Sequence, residues 1–518
     1  MKRTLLTTFL CIGLLISCTE NQEKQMKVRT EAGMIEGYID NGILAFTNIP
    51  YCKADRFMPP QKPDKWEGVL ECKTFPPQAM QFRRDGDYDP EKISEEGATR
   101  LNVWTKSTKG KKPVMVWLHG GGFASGAGYV NPNDSGRELA GQDVVFVSVN
   151  HRLNILGFLD LSAYGDKYKY SGNVGMMDIV AALEWVRDNI SEFGGDPDNV
   201  TIFGESGGGG KVGTLLCMPS AVGLFHKAAI LSGTLLNINT QEMTRAYAAA
   251  TLKNLNLTDQ DVDKLAEIPY QELVMAGDEA VRQISGQRKP GHRLSWGFAP
   301  TVDGEILVQQ PFQPSYASFS RNIPLIMGTT FNELERTYYA QSPDLEEAKG
   351  ILEKTYGDMT ERYIDAFQMA YPEYNTPADM LSVDKTFRPS TVITLDARSG
   401  EDNVAPTYAY IFAWKSTARG GAAGSAHGFE LPFIFHTTDV ASHYLGEITP
   451  GVQRLSDKMS KAWVNFAYTG KPEVEGLEWS PYTQENGTTM YFNESCSILH
   501  DHDRELMTIM QDISGLRK

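Results

Sequence analysis

The chain has 518 residues, 41% of them hydrophobic and 22% charged, which is typical of a folded globular protein. Its formal net charge is −16 without any basic run, so a phosphate backbone would be repelled and nucleic acid is excluded as an expected partner. A prior of about 150 residues per domain gives about three domains, but the motifs described below must meet in one site.

The N-terminus has the layout of an export signal. A basic start precedes an apolar run over residues 5–16, shorter than the ~20 apolar residues that a membrane-spanning helix needs. Residues 15–18, Leu-Ile-Ser-Cys, resemble the lipobox of bacterial lipoproteins, whose cysteine carries lipid; an ordinary cleaved signal with an incidental cysteine is the alternative. The sequence therefore predicts a signal peptide at 1–17, a tether at 18–27 and an exported protein facing the periplasm or the cell surface. Lipid on Cys18 would be its only link to the membrane.

Short apolar segments predict a mostly parallel sheet. Residues 28–51 are interpreted as small antiparallel strands, with turn signals at Ala32-Gly33 and Asn41-Gly42. Six later segments are continuously apolar, as expected of strands buried on both faces of a parallel sheet. They are Val114–Leu118, Val144–Val149, Val200–Phe203, Ala228–Leu231, Pro324–Met327 and Tyr408–Trp414.

Helical patterns lie between these segments. Apolar residues recur every three or four positions over Met177–Phe193, before Gly194-Gly195, and again over Leu455–Phe466. The stretches Asn237–Trp296 and Glu333–Phe387 are interpreted as helical excursions over the sheet. The alternation of strands and helices predicts an α/β fold.

Residues 200–208 combine an apolar strand with the motif Gly-x-Ser-x-Gly. A serine at a tight strand-to-helix turn has a strained backbone, and Gly204 and Gly208 remove side chains that would collide there. The hydroxyl of Ser206 would then stand at the carboxyl edge of the sheet, where ligands of such sheets bind. A plain glycine-rich turn is the alternative, but the preceding strand and the following glycines favour a nucleophile.

Residues 119–123, His-Gly-Gly-Gly-Phe, directly follow the predicted strand 114–118. Successive glycines expose backbone N–H groups, which suits the oxyanion that forms when a serine attacks a carbonyl. A phosphate cradle is the other interpretation, but these glycines lack the Gly-Lys-Ser/Thr that a P-loop requires.

With these motifs the chain resembles the type-B carboxylesterases, an α/β-hydrolase family that includes the cholinesterases. The resemblance covers nearly all of the chain after the signal, and residues 203–209 match the family's nucleophile signature. Further motifs occur in the family's order at Asn48–Tyr51, Leu101–Trp104, Asn150–Leu153 and Phe193–Pro197. The resemblance implies an α/β-hydrolase fold and an oxyanion hole formed by the N–H groups of Gly121, Gly122 and Gly207.

The resemblance also implies an acid within the family's Gly-x-Asn-x-x-Glu-Gly. Glu333 falls at that position after the predicted strand 324–327, although Thr330 replaces the expected Asn and Leu334 the expected Gly. A surface glutamate at the start of a helix is the alternative interpretation. The competing carboxylates are Glu335, Asp303 and Asp402.

The base is expected at His427. Residues 427–435 match the family's His-Gly-x-Glu-Leu-Pro-Phe-x-Phe throughout, whereas other histidines lack such a context and are interpreted as structural: His119, His436 and His443. The order Ser206, Glu333, His427 is the one that α/β-hydrolases use. Because the three must converge, residues 28–518 are expected to form one domain.

Two further residues are expected to support the triad. Ser232 resembles a family serine that forms a hydrogen bond near it, and Glu205 would bias the electrostatics of the site, or be an ordinary salt-bridged glutamate. The family's usual disulfide would fall near Ala79 and Ala98, and neither is a cysteine. No Trp lies between them to contact a choline group, which disfavours a cholinesterase.

The remaining cysteines and histidines give weaker signals. Cys52 and Cys72 lie near the ends of predicted strands in an exported chain, and we expect a disulfide between them in place of the family's missing one. The segment His500–Asp503 is interpreted as solvated surface rather than a metal site. No metal or organic cofactor is expected.

The sequence thus predicts a serine hydrolase that cleaves small-molecule carboxylic esters through an acyl-enzyme. A catalytically inactive adhesion or scaffold protein is one alternative, since the family has such members. Hydrolysis of amides or lactones by the same triad is another. The sequence leaves open the acyl and alcohol specificity and the oligomeric state.

Overall fold

The computed structural model describes residues 25–82, 89, 91–129, 136–286, 297–335 and 337–516. The predicted signal peptide, Cys18 and the tether as far as residue 24 lie outside these residues. No helix within the described residues is long and apolar enough to cross a membrane.

The strands are numbered in chain order. They are β1 Lys27–Arg29, β2 Met34–Glu36, β3 Tyr38–Asp40, β4 Ile43–Pro50, β5 Val69–Glu71, β6 Gln78–Ala79, β7 Ile93–Ser94, β8 Arg100–Thr105, β9 Lys112–Leu118, β10 Val145–Val149, β11 Gly195–Glu205, β12 Lys227–Leu231, β13 Asn239–Thr240, β14 Thr301–Val302, β15 Leu325–Thr330, β16 Thr407–Phe412, β17 Thr489–Phe492 and β18 Ser497–Leu499.

The α-helices are numbered in the same way. They are α1 Arg137–Ala140, α2 Asn154–Phe158, α3 Val174–Asn189, α4 Gly207–Leu215, α5 Gln241–Asn254, α6 Tyr270–Ser285, α7 Thr337–Gln341, α8 Leu345–Tyr356, α9 Thr360–Ala370, α10 Pro377–Leu381, α11 Arg388–Ser399, α12 Leu431–Ile434, α13 Ser442–Leu445, α14 Pro450–Thr469 and α15 Arg504–Ser514.

Eleven strands of the described chain form one sheet, in the order β18-β17-β16-β15-β12-β11-β9-β10-β8-β4-β3. Neighbours from β17 across to β10 are all parallel, and the outer pairs are antiparallel. The predicted mostly parallel sheet is therefore confirmed, and each of the six apolar segments overlaps one of its strands. The carboxyl ends of β9, β11, β15 and β16 consequently meet at one edge.

The central strands are buried on both faces. In β9, Val114 and Val116 belong to the hydrophobic cluster that contains Ile179 of α3, whereas Met115 and Trp117 belong to the cluster on the other face. The second cluster includes α14, with Met459 as one of its buried residues. Burial on both faces explains why these strands are continuously apolar instead of alternating.

The two helices predicted from apolar spacing are present and end where glycine allows a reversal. The helix α3 passes into a 3₁₀ turn over Ile190–Phe193, and Gly194 follows in the left-handed region with a φ of 77°. In α14, the Thr449 hydroxyl accepts the Val452 N–H at 3.3 Å, and Gly470 follows the last turn with a φ of 77°. Within the described residues, 237–286 and 333–387 without 336, the two long excursions are mainly helical as predicted, and the first also contains the two-residue β13.

The N-terminal strands pair as expected. The strands β1 and β2 are antiparallel, and so are β3 and β4, which are joined by a turn at Asn41 and Gly42 with φ values of 47° and 84°. The strand β5 adds in parallel to β2 and completes a small separate sheet.

The expected disulfide between Cys52 and Cys72 is wrong, because both are buried free thiols. The Cys72 carbonyl accepts the Thr47 N–H at 3.0 Å, and β4 then continues from Thr47 to Pro50 before the chain reaches Cys52. That length of strand is about 10 Å, whereas bridged cysteines have Cα atoms about 4.4–6.8 Å apart. Burial also raises the pKa of the Cys72 thiol to about 12.

The interpretation of His500–Asp503 as solvated surface is wrong for its second half. His500 and Asp501 are exposed, but Asp503 is buried and pairs with the buried Arg388, Nε to Oδ2, at 2.8 Å. The Arg388 guanidinium lies at the start of α11 and cannot reach solvent, so it needs an acidic partner inside the protein.

Candidate active site

The strand β11 turns sharply into the helix α4 at Ser206. The φ of Ser206 is 57°, a conformation that costs a non-glycine residue of order 1–3 kcal/mol. Hydrogen bonds on both sides hold it: the Ser206 N–H donates to the Leu231 carbonyl at 2.9 Å, and the Gly210 N–H donates to the Ser206 carbonyl at 3.0 Å. A methyl group on Gly204 would lie 2.5 Å from the carbonyl carbon of Gly208, so these two positions require glycine.

Residues 119–126, here called the glycine loop, follow β9 and pass beside Ser206. Gly121 and Gly122 have φ values of 87° and 65°, which glycine adopts without strain. A methyl group on Gly120 would be 3.5 Å from the Cβ of Ser206, and one on Gly207 would collide with the Gly122 backbone. The backbones of the three predicted oxyanion-hole glycines therefore lie together beside the serine.

The far end of the glycine loop is held by Gln81. The Gln81 side chain accepts the Gly126 N–H at 3.0 Å and donates to the Gly126 carbonyl at 3.1 Å. Asn154 supports the middle of the loop, since its side chain donates to the Ala124 carbonyl at 3.4 Å.

Glu333 and His427 lie at the carboxyl ends of the neighbouring strands β15 and β16 and contact each other directly. The His427 Nδ1 hydrogen-bonds with one carboxylate oxygen of Glu333, and the other oxygen accepts the Thr330 N–H at 2.6 Å. The backbone joins them too, because the His427 N–H donates to the Glu333 carbonyl at 3.1 Å. Glu333 is fully buried, which excludes the alternative of a surface glutamate.

Glu205 faces the other nitrogen of the same imidazole. Its Oε1 lies 3.1 Å from His427 Nε2, so the ring stands between two carboxylates. Burial opposes the charged imidazole, but Glu205 and then Glu333 outweigh it and raise the pKa of His427 to about 10. Burial, together with Glu333, raises the pKa of Glu205 to about 7 despite the opposing pull of His427.

The described contacts include no hydrogen bond between the Ser206 hydroxyl and His427 Nε2. Such bonds are often long or misaligned until substrate is bound. Ser206 directly follows Glu205 in the chain, and the Glu205 carboxylate contacts the imidazole of His427.

Ser232 contacts Glu430, which the sequence reasoning did not single out. The Ser232 hydroxyl donates to Glu430 Oε1 at 3.2 Å, and both residues are completely buried. Burial, and then the charges of Glu205 and Glu333, raise the pKa of Glu430 well above its usual value. The signal was present, since Glu430 is the fourth residue of the motif that begins at His427.

Phe387 is a second residue that the sequence reasoning missed. Its ring stacks on the His427 imidazole with the centroids 5.2 Å apart and the planes 3° from parallel. The Asp384 carboxylate orders the turn by accepting the N–H groups of residues 386–388. Nothing local in the sequence indicates this contact, because the ring and the imidazole are 40 residues apart.

The competing candidates are engaged elsewhere in the described structure. Glu335 pairs with Lys385 at 2.9 Å, His436 pairs with Asp457 at 2.7 Å, and Asp303 accepts the N–H groups of residues 305–307. Ala79 and Ala98, where the family's disulfide would fall, pack together as buried residues.

A cavity of about 740 Å³ lies away from these residues. It is lined by one face of α3 and by residues 60–65, and it contains none of the site residues described above. On its rim, Lys62 pairs with both Glu31 and Asp188. Among the described residues, no group of three histidine, cysteine or acidic side chains is arranged to hold a metal ion.

The chain is similar to known proteins over most of its length. The model of the Carboxylesterase family matches residues 24–507. The para-nitrobenzyl esterase of Bacillus subtilis is 34% identical over 495 aligned residues, covering 92% of this chain and 97% of that protein. The human cocaine esterase is 31% identical and covers 91% and 89%. A solved esterase from Clostridium hathewayi, described as able to hydrolyse aliphatic aromatic polyesters, is 33% identical with a TM-score of 0.84, covering 94% and 98%.

Proposed function

Since the chain belongs to the carboxylesterase family and is an ester hydrolase, we propose that it cleaves carboxylic esters through an acyl-enzyme intermediate on Ser206. The observation that carries the proposal is the buried contact of Glu333 with His427, at the sheet edge where the strained Ser206 stands. The small-molecule ester is the partner that this chemistry requires.

In the first half of the reaction, His427 Nε2 takes the proton of the Ser206 hydroxyl as the oxygen bonds to the ester carbonyl carbon. The carbonyl electron pair moves onto its oxygen, where the N–H groups of Gly121, Gly122 and Gly207 stabilise the charge. The intermediate then expels the alcohol, which receives the proton from His427, and the acyl group stays on Ser206.

In the second half, His427 takes a proton from water as the water attacks the acyl carbonyl. The carboxylic acid leaves, and Ser206 recovers its proton from the imidazole. Throughout, Glu333 fixes the orientation of the ring and stabilises its cationic form. None of these steps uses a metal or an organic cofactor.

The retained serine and histidine oppose the alternative of an inactive scaffold. The names of the relatives describe esters with different acyl and alcohol parts, including para-nitrobenzyl esters and polyesters. Hydrolysis of a panel of p-nitrophenyl esters of increasing acyl length, alongside matched amides and lactones, tests the proposal and separates esters from the other acyl substrates. Absence of turnover on every ester of the panel would contradict it.

We predict that Glu205→Gln shifts the acid limb of the kcat/KM profile to lower pH. The carboxylate of Glu205 raises the pKa of His427, so removing its charge lowers that pKa, and the neutral base is then available at lower pH. Because the pKa of Glu205 itself is about 7, the two profiles should differ most above pH 7. Glu335→Gln, which removes a carboxylate paired with Lys385, is the matched control. An unchanged limb, or one at higher pH, would contradict this role of Glu205.

We further propose that residues 28–518 are one domain, which is supported by a sheet whose strands come from Tyr38 to Leu499. The proposed signal peptide at 1–17, the tether at 18–27 and a lipid on Cys18 are supported by the sequence pattern alone.

For the anchor, we expect intact-mass analysis of protein extracted from membranes to show cleavage before Cys18 and added acyl mass. Cys18→Ser should remove the added acyl mass, because the sulfur atom of Cys18 would carry the lipid. A soluble mature form that begins at another residue would refute the anchor.

A further inference from the structure

Lys211 is a completely buried lysine on α4, the helix that begins directly after Ser206. No carboxylate pairs with it in the described part of the chain. Burial lowers the pKa of its amine well below the usual value. Burying a lysine costs free energy that an apolar side chain at the same position would avoid. We therefore expect this amine to have a role that an apolar side chain could not fill.

The amine of Lys211 donates a hydrogen bond to the carbonyl of His119 at 2.7 Å. His119 is the first residue of the glycine loop, and its carbonyl shares one rigid peptide plane with the N–H of Gly120. Holding the carbonyl consequently fixes the direction in which the chain enters Gly121 and Gly122.

The glycine loop needs such a tether at its start. Glycine has more conformational freedom to lose than any other residue, and two successive glycines here have positive φ values. Gln81 holds the far end at Gly126. Lys211 holds the near end, and its helix is a different element from the strand that leads into the loop.

The ring of His119 does not replace this tether, because its contacts are with Gly120 and His151 and not with α4. Its Nδ1 donates to the carbonyl of the next residue, Gly120, at 2.8 Å, and the ring stacks on His151 with centroids 5.2 Å apart. Neither Nε2 atom of the two rings has a hydrogen-bond partner in the described structure. The link from the glycine loop to α4 is made by the lysine.

We propose that Lys211 is a positioning residue that fixes the glycine loop relative to α4. One helix then presents the N–H of Gly207 and also sets where the loop presents Gly121 and Gly122. This inference rests on the proposed function, because it requires those three N–H groups to bind the oxyanion.

Lys211→Met tests the inference, since it keeps a linear apolar side chain and removes the donor. Loss of a whole oxyanion donor lowers the rate by about 10²–10³, and for a displaced loop we expect kcat to fall about 10–100-fold with KM within about threefold. A trifluoromethyl ketone, whose serine adduct carries an oxyanion, should bind more weakly by the same factor. Lys211→Gln, similar in shape to Met but with a terminal N–H, should recover part of both losses.

The matched control is Lys227→Met. Lys227 is also largely buried and lies at the amino end of β12, at the edge of the sheet opposite Ser206. Its amine contacts the Asn199 side chain. The Lys227→Met variant should have the same melting temperature as Lys211→Met and the kcat of the unchanged protein. Near-ultraviolet circular dichroism measures the folded fraction of each variant, and kcat is calculated per folded molecule.

Two results would overturn the inference. One is an unchanged kcat in Lys211→Met. The other is a loss of kcat without weaker binding of the ketone and without any recovery in Lys211→Gln. Fluorophosphonate labelling of Ser206 in Lys211→Met separates this failure from a failure of the proposed function. If Ser206 is still labelled there, the nucleophile stands and the positioning role alone is lost. If labelling shows another serine to be the nucleophile, both are lost.

Discussion

Ser206→Ala should abolish turnover of p-nitrophenyl esters and labelling by a fluorophosphonate, with the fold intact. In the proposed mechanism the oxygen of this hydroxyl is the atom that bonds to the acyl carbon, so its removal leaves no site for the acyl group. In a related triad, removal of the nucleophile lowers kcat by about 10⁶. The backbone conformation at this position, with a φ of 57°, is held by hydrogen bonds of the main chain, so alanine should not alter it by more than local strain.

Ser232→Ala is the informative comparison for this result. Ser232 is buried nearby and donates to Glu430, so its loss should leave labelling at Ser206 in place. Mass-spectrometric mapping of the labelled peptide identifies the serine in each variant. Labelling at another serine in Ser206→Ala would end the assignment of the nucleophile.

Glu333→Gln should lower kcat by about 10²–10⁴, with little change in melting temperature. The amide is nearly the same size as the carboxylate, so the hydrogen bond from Thr330 is kept. It cannot stabilise the imidazolium, and its N–H₂ group can favour the wrong tautomer of His427. Steady-state kinetics of the purified variant, with thermal denaturation of the same sample, measure both quantities.

The matched changes are Glu335→Gln, Asp303→Asn and Asp402→Asn, which should be nearly neutral for turnover. Glu335 pairs with Lys385, and Asp303 caps a turn of the main chain, so neither contacts His427 in the described structure. If Glu333→Gln stays within a few-fold of the unchanged protein while one of these collapses, the acid has been misplaced. Ester hydrolysis itself would not be in question.

The fold was predictable wherever burial is uniform. From Val114 to Leu118 the strand β9 is continuously apolar because both of its faces are covered, and this run can be recognised from the strand's own residues. The strand β8 was missed because its run is broken by Asn102, whose buried amide donates to Ser148 on β10 at 3.1 Å. A buried polar residue whose hydrogen-bond partner lies on another strand cannot be distinguished from a surface residue by sequence pattern.

The site was predictable where chemistry and backbone geometry lie in one short segment. The glycines around Ser206 and the motif that begins at His427 can be recognised from neighbouring residues in the sequence. Neighbouring residues do not indicate the contacts of Phe387 and Lys211, because each contacts a residue distant in the chain. Phe387 stacks on His427, and Lys211 donates to the carbonyl of His119. The error over Cys52 and Cys72 has a different cause: nearness in sequence does not show that β4 separates Cys52 from the point where Cys72 contacts Thr47.

If His427 and Glu333 act as the proposed base and acid, their backbone hydrogen bond makes catalysis depend on completion of the chain. Acid and base are 94 residues apart, and β16 and then the residues beyond it must be made before they can meet. Because domains begin to fold from the N-terminus during synthesis, the nucleophile turn can form on the ribosome while the base is still absent. Under the proposed mechanism we therefore expect a nascent chain, and a C-terminal truncation before His427, to be inactive toward esters.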